Sequence, residues 1–160
     1  MLQLEVLYRK ANLAKRLMNL NKTPSSSLSH LTHINHSRLV ICIVDDERDT
    51  LMALKYGLEE TNEFQIDAFD DPLLALDNFK PDFYDLVILD IKMPKMNGFS
   101  LYREFRKIDG KAKICFLTAG EIYYNLYEDI FRALSESCFI RKPIENKKLL
   151  QRIEVILRSE

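Results

Sequence analysis

Between Arg38 and Arg158 the chain switches five times from a short apolar run to a longer amphipathic segment. The runs are 38–44, 64–69, 85–90, 113–118 and 138–141. A short apolar run bounded by turn residues reads as a strand, and one that is apolar throughout as a strand buried on both faces. Residues 39–44 and 86–89 are of that second kind. The run 64–69 instead alternates Phe64, Ile66 and Ala68 with Gln65 and Asp67, as a half-exposed edge strand does. Between the runs, apolar residues recur at helical spacing: Leu51, Leu54 and Leu58 within 47–60, Leu101, Phe105 and Ile108 within 98–108, and Leu149, Ile153, Ile156 and Leu157 within 144–158. A further helix starts near Asp71-Pro72, a capping residue followed by proline at the first helical position. Another is expected over about 121–135. Alternating βα units imply a parallel sheet with right-handed crossovers and helices on both faces.

The strands end on chemistry. The first runs into Asp45, Asp46 and Glu47, the third into Asp90, the fourth into Thr118 and Ala119, and the fifth into Lys142 and Pro143. Open parallel sheets bind ligands beyond the C-terminal ends of their strands, so these side chains are the candidate reactive groups. An acidic doublet alone is weak evidence, because Asp46 could simply cap the following helix. Four matching strand ends with Lys-Pro closing the series are much more specific. In this order and spacing they resemble the receiver domain of two-component response regulators, over roughly residues 38–158.

The resemblance implies an α/β flavodoxin-like fold, a doubly wound five-stranded parallel sheet of order 2-1-3-4-5. Its topological switch point lies between strands one and three, where Asp45, Asp46 and Asp90 would converge. Three crowded carboxylates repel one another and require a cation. Hard oxygen ligands without histidine favour Mg²⁺, with Mn²⁺ as a substitute. By resemblance, Asp46 and Asp90 are direct ligands, Asp45 acts through water, and the backbone carbonyl of Lys92 adds an oxygen. Asp90 is then the phosphoacceptor, since an aspartate can act as a nucleophile toward phosphorus. Lys142 suits charge neutralisation of the phosphoryl oxygens, and Thr118 offers one hydroxyl donor. Phe139 occupies the family's aromatic switch position, and Lys92 and Gly120 occupy the two places that tune phosphoryl lifetime. The Lys142–Pro143 bond is expected to be cis.

The partners implied are a sensor histidine kinase and either a target protein or a histidine phosphotransfer protein in a phosphorelay. A helix-four surface carrying Tyr123, Tyr124, Tyr127 and Phe131 suggests docking, including a homodimer through helix four, strand five and helix five. The alternative is a deeply packed helix. Because the sequence stops just after helix five, a stand-alone receiver is expected. A phosphatase of the haloacid dehalogenase type also uses a nucleophilic aspartate. That family wants a second aspartate two residues later, where this chain has Lys92.

Composition narrows the rest. Residues 1–37 hold five basic residues against Glu5, a net of +4, which leaves −5 for residues 38–160 of a chain whose total is −1. An acidic domain is a poor surface for phosphate backbones, so direct nucleic-acid binding is not expected. No apolar stretch reaches the ~20 residues of a membrane span, and no secretory signal is evident, so a cytoplasmic location is expected. Cys42, Cys115 and Cys138 lie in apolar contexts and read as core residues. Residues 2–20 form a basic amphipathic segment, and a Ser-rich linker with His30, His33 and His36 follows. Residues 1–37 contribute none of the converging side chains and are expected to be dispensable for phosphorylation, leaving 38–160 as the receiver domain.

Overall fold

In the computed structural model, which describes residues 38–120 and 127–158, the five runs are strands of a single parallel sheet. They are β1 (Leu39–Val44), β2 (Phe64–Phe69), β3 (Leu86–Asp90), β4 (Lys113–Thr118) and β5 (Phe139–Arg141). The helices are α1 (Arg48–Glu59), α2 (Pro72–Asn78), α3 (Gly98–Ile108), α4 (Glu128–Ala133) and α5 (Asn146–Arg158), with a short 3₁₀ turn at Glu136–Cys138. The sheet order is β2-β1-β3-β4-β5. From β1 the chain steps outward to β2, then crosses back past β1 to β3 and continues to β4 and β5. That reversal opens a crevice at the C-terminal ends of β1 and β3.

Successive strand residues feed two cores, as the two-residue period of a strand demands. Leu39, Ile41 and Ile43 pack with Leu51, Leu54 and Leu58 of α1 and with Leu149, Ile153, Ile156 and Leu157 of α5. Val40, Cys42 and Val44 pack on the other face with Ala75 of α2, Phe99, Leu101, Tyr102 and Phe105 of α3, and Ile130 of α4. Every residue of β1 and β3 is therefore buried. The cysteines are free and buried, and burial pushes the Cys42 and Cys115 thiols well above their ordinary pKa. They are core residues, as expected. At the edge, Ile66 N–H donates to Glu59 Oε1 at 3.3 Å and Ile66 O accepts from Lys55 Nζ at 2.7 Å. Two side chains of α1 thus occupy backbone groups of β2 that another strand could pair with.

Two expectations change. Ile108 is 41% exposed, because it is the last residue of α3, where the chain turns away at Asp109. Phe99 and Tyr102 instead join Leu101 and Phe105 on the buried face. The described part of the fourth helix stops at Ala133, with Leu134 extended, whereas the sequence pattern carried it to 135. Residues 121–126 and 1–37, with the amphipathic segment and the linker, lie outside the described residues. Among the described residues no helix is long and apolar enough to cross a membrane.

The start of α3 fixes the segment after Asp90. Asn97 caps the helix, accepting from Ser100 N–H at 2.9 Å, and Gly98 N–H donates to Ile91 O at 3.0 Å. A Cβ on Gly98 would stand 2.2 Å from the carbonyl oxygen of Asp90. Only glycine lets the helix approach that closely. Gly98→Ala is therefore expected to cost on the order of 2 kcal/mol, as overpacking of backbone against backbone does, and to weaken Mg²⁺ binding at the neighbouring acidic cluster. Urea unfolding and a Mg²⁺ titration check this, and wild-type values in both would refute it.

Candidate phosphoacceptor site

Parallel pairing of Val44 with Leu89 brings the next residue of each strand together. Asp45 is fully buried, and its N–H donates to Phe69 O at 3.1 Å, so β1 keeps its register with β2 up to this carboxylate. Asp90 ends β3 and is 4% exposed, while Asp46 is exposed. Carboxylate oxygens of these three residues lie within 4.8 Å of one another. Lys142, just beyond β5, reaches into the cluster with Nζ 2.7 Å from Asp45 Oδ2 and 2.8 Å from Asp90 Oδ1. Its own N–H donates to Thr118 O at 2.7 Å, which docks the end of β5 on β4. The Lys142–Pro143 peptide is cis.

Thr118 ends β4, and its hydroxyl is engaged with its own loop. It donates to Gly120 O at 3.2 Å and accepts from Gly120 N–H at 3.3 Å. Lys92 is exposed, and its Nζ lies 3.2 Å from where a Gly120 Cβ would stand. The missing side chain at 120 gives that ammonium its room. Phe139 is half-buried, with its ring stacked 5.4 Å from Phe116 and 4.5 Å from Phe131. Tyr127 is likewise half-buried, with its ring 4.1 Å from that of Phe99.

Other residues support the site in ways the sequence did not specify. Glu47 N–H donates to Asp45 Oδ1 at 3.0 Å, and its carboxylate lies 3.9 Å from Lys142. Its position after the doublet was the available signal. Gly98 carries the close approach described above. An ion pair between Asp71 and Lys95 ties the loop after β2 to the loop after β3, with Lys95 in the left-handed region at φ 67°. The hydrogen bond from Lys95 holds the Asp71 carboxyl below its ordinary range. Asp71 was legible only as a helix cap, because nothing in the order of residues says which lysine will face it.

Electrostatics set the character of the cluster. Burial raises the pKa of Asp90, the hydrogen bond and charge of Lys142 lower it, Asp45 and Asp46 raise it again, and the net shift is upward. Burial pulls Lys142 down, but hydrogen bonds and charge from Asp45 and Asp90 outweigh it and hold the ammonium above the usual lysine value. Asp45 Oδ2 is buried without a well-directed hydrogen bond, although the ammonium is close. An all-oxygen set with such an under-satisfied atom suits a hard divalent cation. Because the folded state holds the Asp90 proton more tightly than the unfolded chain does, ionising this group opposes folding. In metal-free buffer, wild type should lose stability relative to Asp90→Asn as pH rises from about 4 toward neutrality. Urea midpoints across that range check this, and a constant or reversed gap would contradict it.

The family model for the response regulator receiver domain matches residues 41–154. The chain is 32% identical over 123 residues to the transcriptional regulatory protein RprY of Bacteroides fragilis, covering 76% of this chain and 50% of that protein. It is 31% identical over 120 residues to the response regulator ArlR of Staphylococcus aureus, covering 75% and 53% respectively. The chain thus spans about half the length of these curated relatives. Among solved structures, the non-phosphorylated HemR receiver domain of Leptospira biflexa superposes with a TM-score of 0.67 at 27% identity, covering 77% of this chain and 97% of that one. A chain of the CheX–CheY–BeF3–Mg²⁺ complex from Borrelia burgdorferi gives 0.65 at 25% identity, covering 81% and 96%. With its five-stranded order, its acidic crevice and its lysine in place, this chain belongs to the response regulator receiver domain family.

Proposed function

We propose that Asp90 is the phosphoacceptor, that a sensor histidine kinase supplies the phosphoryl group, and that output is a phosphorylation-dependent protein contact. The observation that carries this reading is the buried Asp90 carboxylate, paired with Lys142 at 2.8 Å inside a cluster of three acids. Asp90 attacks phosphorus, an O–P bond forms as the donor's N–P bond breaks, and the leaving imidazole keeps the electron pair and takes a proton from solvent. Lys142 faces the negative charge that gathers on the phosphoryl oxygens, and Thr118 exchanges its Gly120 partner for one of them. In this reading the chain carries a phosphoryl group and assists its own phosphorylation and dephosphorylation, without turning over a separate substrate.

Asp45, Asp46, Asp90 and the Lys92 carbonyl would hold Mg²⁺, or Mn²⁺ in its place. Bound there, the ion supplies charge neutralisation for phosphoryl transfer. A cleft of about 430 Å³ opens beside Lys142, lined in part by Thr50, Ala53, Leu54, Pro143 and Ile144, and gives an approaching donor protein an apolar wall. The α4–β5–α5 side is the expected output and homodimer face.

Incubation with acetyl phosphate and Mg²⁺ is expected to give a base-labile adduct that Asp90→Asn abolishes. Persistence of the adduct in that variant would sink the assignment. Asp46→Ala should weaken Mg²⁺ binding at least tenfold and stabilise the metal-free protein by up to about 1 kcal/mol, since one partly screened repulsion is removed. Isothermal titration and thermal unfolding read both effects. Equal Mg²⁺ affinity in the two proteins would remove Asp46 from the ligand set.

A further inference from the structure

Described residues on each side of 121–126, between β4 and α4, make anchoring contacts. On the β4 side, Thr118 and Gly120 share the two hydrogen bonds of 3.2 and 3.3 Å. On the α4 side Tyr127, the residue that precedes α4, is fastened to α3. Its ring lies 4.1 Å from that of Phe99, and its hydroxyl oxygen accepts from the Asn97 side-chain amide at 3.4 Å. Two residues on, Asp129 accepts from Arg103 of α3, with Nη2 3.0 Å from Oδ1 and Nε 3.3 Å from Oδ2. The hydrogen bond from Arg103 leads the causes that hold the Asp129 carboxyl below its ordinary range. Asn97 also caps α3, whose first residue packs on the Asp90 carbonyl. The start of α4 is thereby tied to the helix that grows out of the Asp90 loop.

We propose that Tyr127 and Arg103 form a latch that holds α4 on α3 in the unphosphorylated protein and opposes the response of α4 to a phosphoryl group on Asp90. The proposal rests on Asp90 being the phosphoacceptor. The Thr118 hydroxyl has one proton to donate, so it serves either Gly120 or a phosphoryl oxygen. When it turns to the phosphoryl group, the start of the connection is released. The far end is not, and α4 can shift only by giving up its contacts with Asn97, Phe99 and Arg103. Contacts made in one arrangement and lost in the other bias the population toward the first. Weakening them makes the second arrangement easier to reach, and a ligand that selects it binds more tightly. A single neutral hydrogen bond and an exposed ion pair are each modest, so each change is worth roughly twofold to fivefold in affinity.

The test titrates beryllofluoride with Mg²⁺ into wild type, Tyr127→Phe, Arg103→Ala, Thr118→Ala and the Tyr127→Phe/Thr118→Ala double variant, with NMR amide shifts reporting binding. Tyr127→Phe and Arg103→Ala are expected to bind the mimic about twofold to fivefold more tightly, with thermal stability unchanged or lower. A merely structural role would lower stability without raising affinity. The gain from Tyr127→Phe should vanish in the Thr118→Ala background, where the first anchor is no longer exchanged for the phosphoryl group. Unchanged or weaker binding in both single variants overturns the latch, as does a gain that survives intact without Thr118. Failure of the phosphoacceptor reading looks different: Asp90→Asn would bind the mimic as wild type does, or wild type would not bind it, and the latch would fall with it.

Discussion

The arrangement depends on one ammonium between two buried carboxylates. Asp45 and Asp90 end neighbouring strands almost out of reach of water, and Lys142 meets them at 2.7 and 2.8 Å. Two like charges about 5 Å apart repel by roughly 3 kcal/mol at an effective dielectric of 20, before the cost of burying either one. The compensating charge comes from the far side of the sheet, carried by a strand of three residues whose docking includes the bond from Lys142 N–H to Thr118 O. Charge balance at the site and docking of the last βα unit are therefore the same event. Asp45 retains an oxygen that the ammonium approaches without ideal hydrogen-bond geometry. That residual demand is what a hard cation would meet.

The two faces of the sheet are built from different materials. The α1–α5 side is packed mainly with Leu and Ile, whereas the α2–α4 side is dense in rings, with Phe99, Phe116, Phe131, Phe139 and Tyr127 in mutual contact. Phe139 belongs to the boundary, packing against both clusters. A change in its ring is consequently felt on both faces. The same ring cluster takes in Tyr127 and Phe131, the described aromatic residues at the fourth helix. Tyr127 packs on Phe99 and Phe131 on Phe139, and both are half-buried.

Much of this was legible in the residues. The strand at 64–69 emerged from its alternation, the strand at 113–118 from an apolar run ending on Thr118, and the helix at 98–108 from apolar spacing on one face. Asp71-Pro72 announced its helix start through the capping bond now seen from Leu73 N–H at 2.9 Å. Ile108 defied the pattern because period says which way a side chain points, not how far the neighbouring surface extends. Tyr127 left two readings open in the sequence, and the structure adds its contact with Phe99 of α3.

By itself the sequence determined the βα order, the buried character of β1 and β3, and the residue type standing at each strand end. These are local properties, set by side-chain period, turn chemistry and the length of each apolar run. Only tertiary structure decided which strand ends meet. Crossing back past β1 puts Asp45 beside Asp90, carries Lys142 to both, ties Lys95 to Asp71 and sets Tyr127 on Phe99. Such pairings are distant in the chain, so no local preference encodes them. They follow from the sheet order β2-β1-β3-β4-β5, which buries both faces and leaves the charged ends together in a crevice.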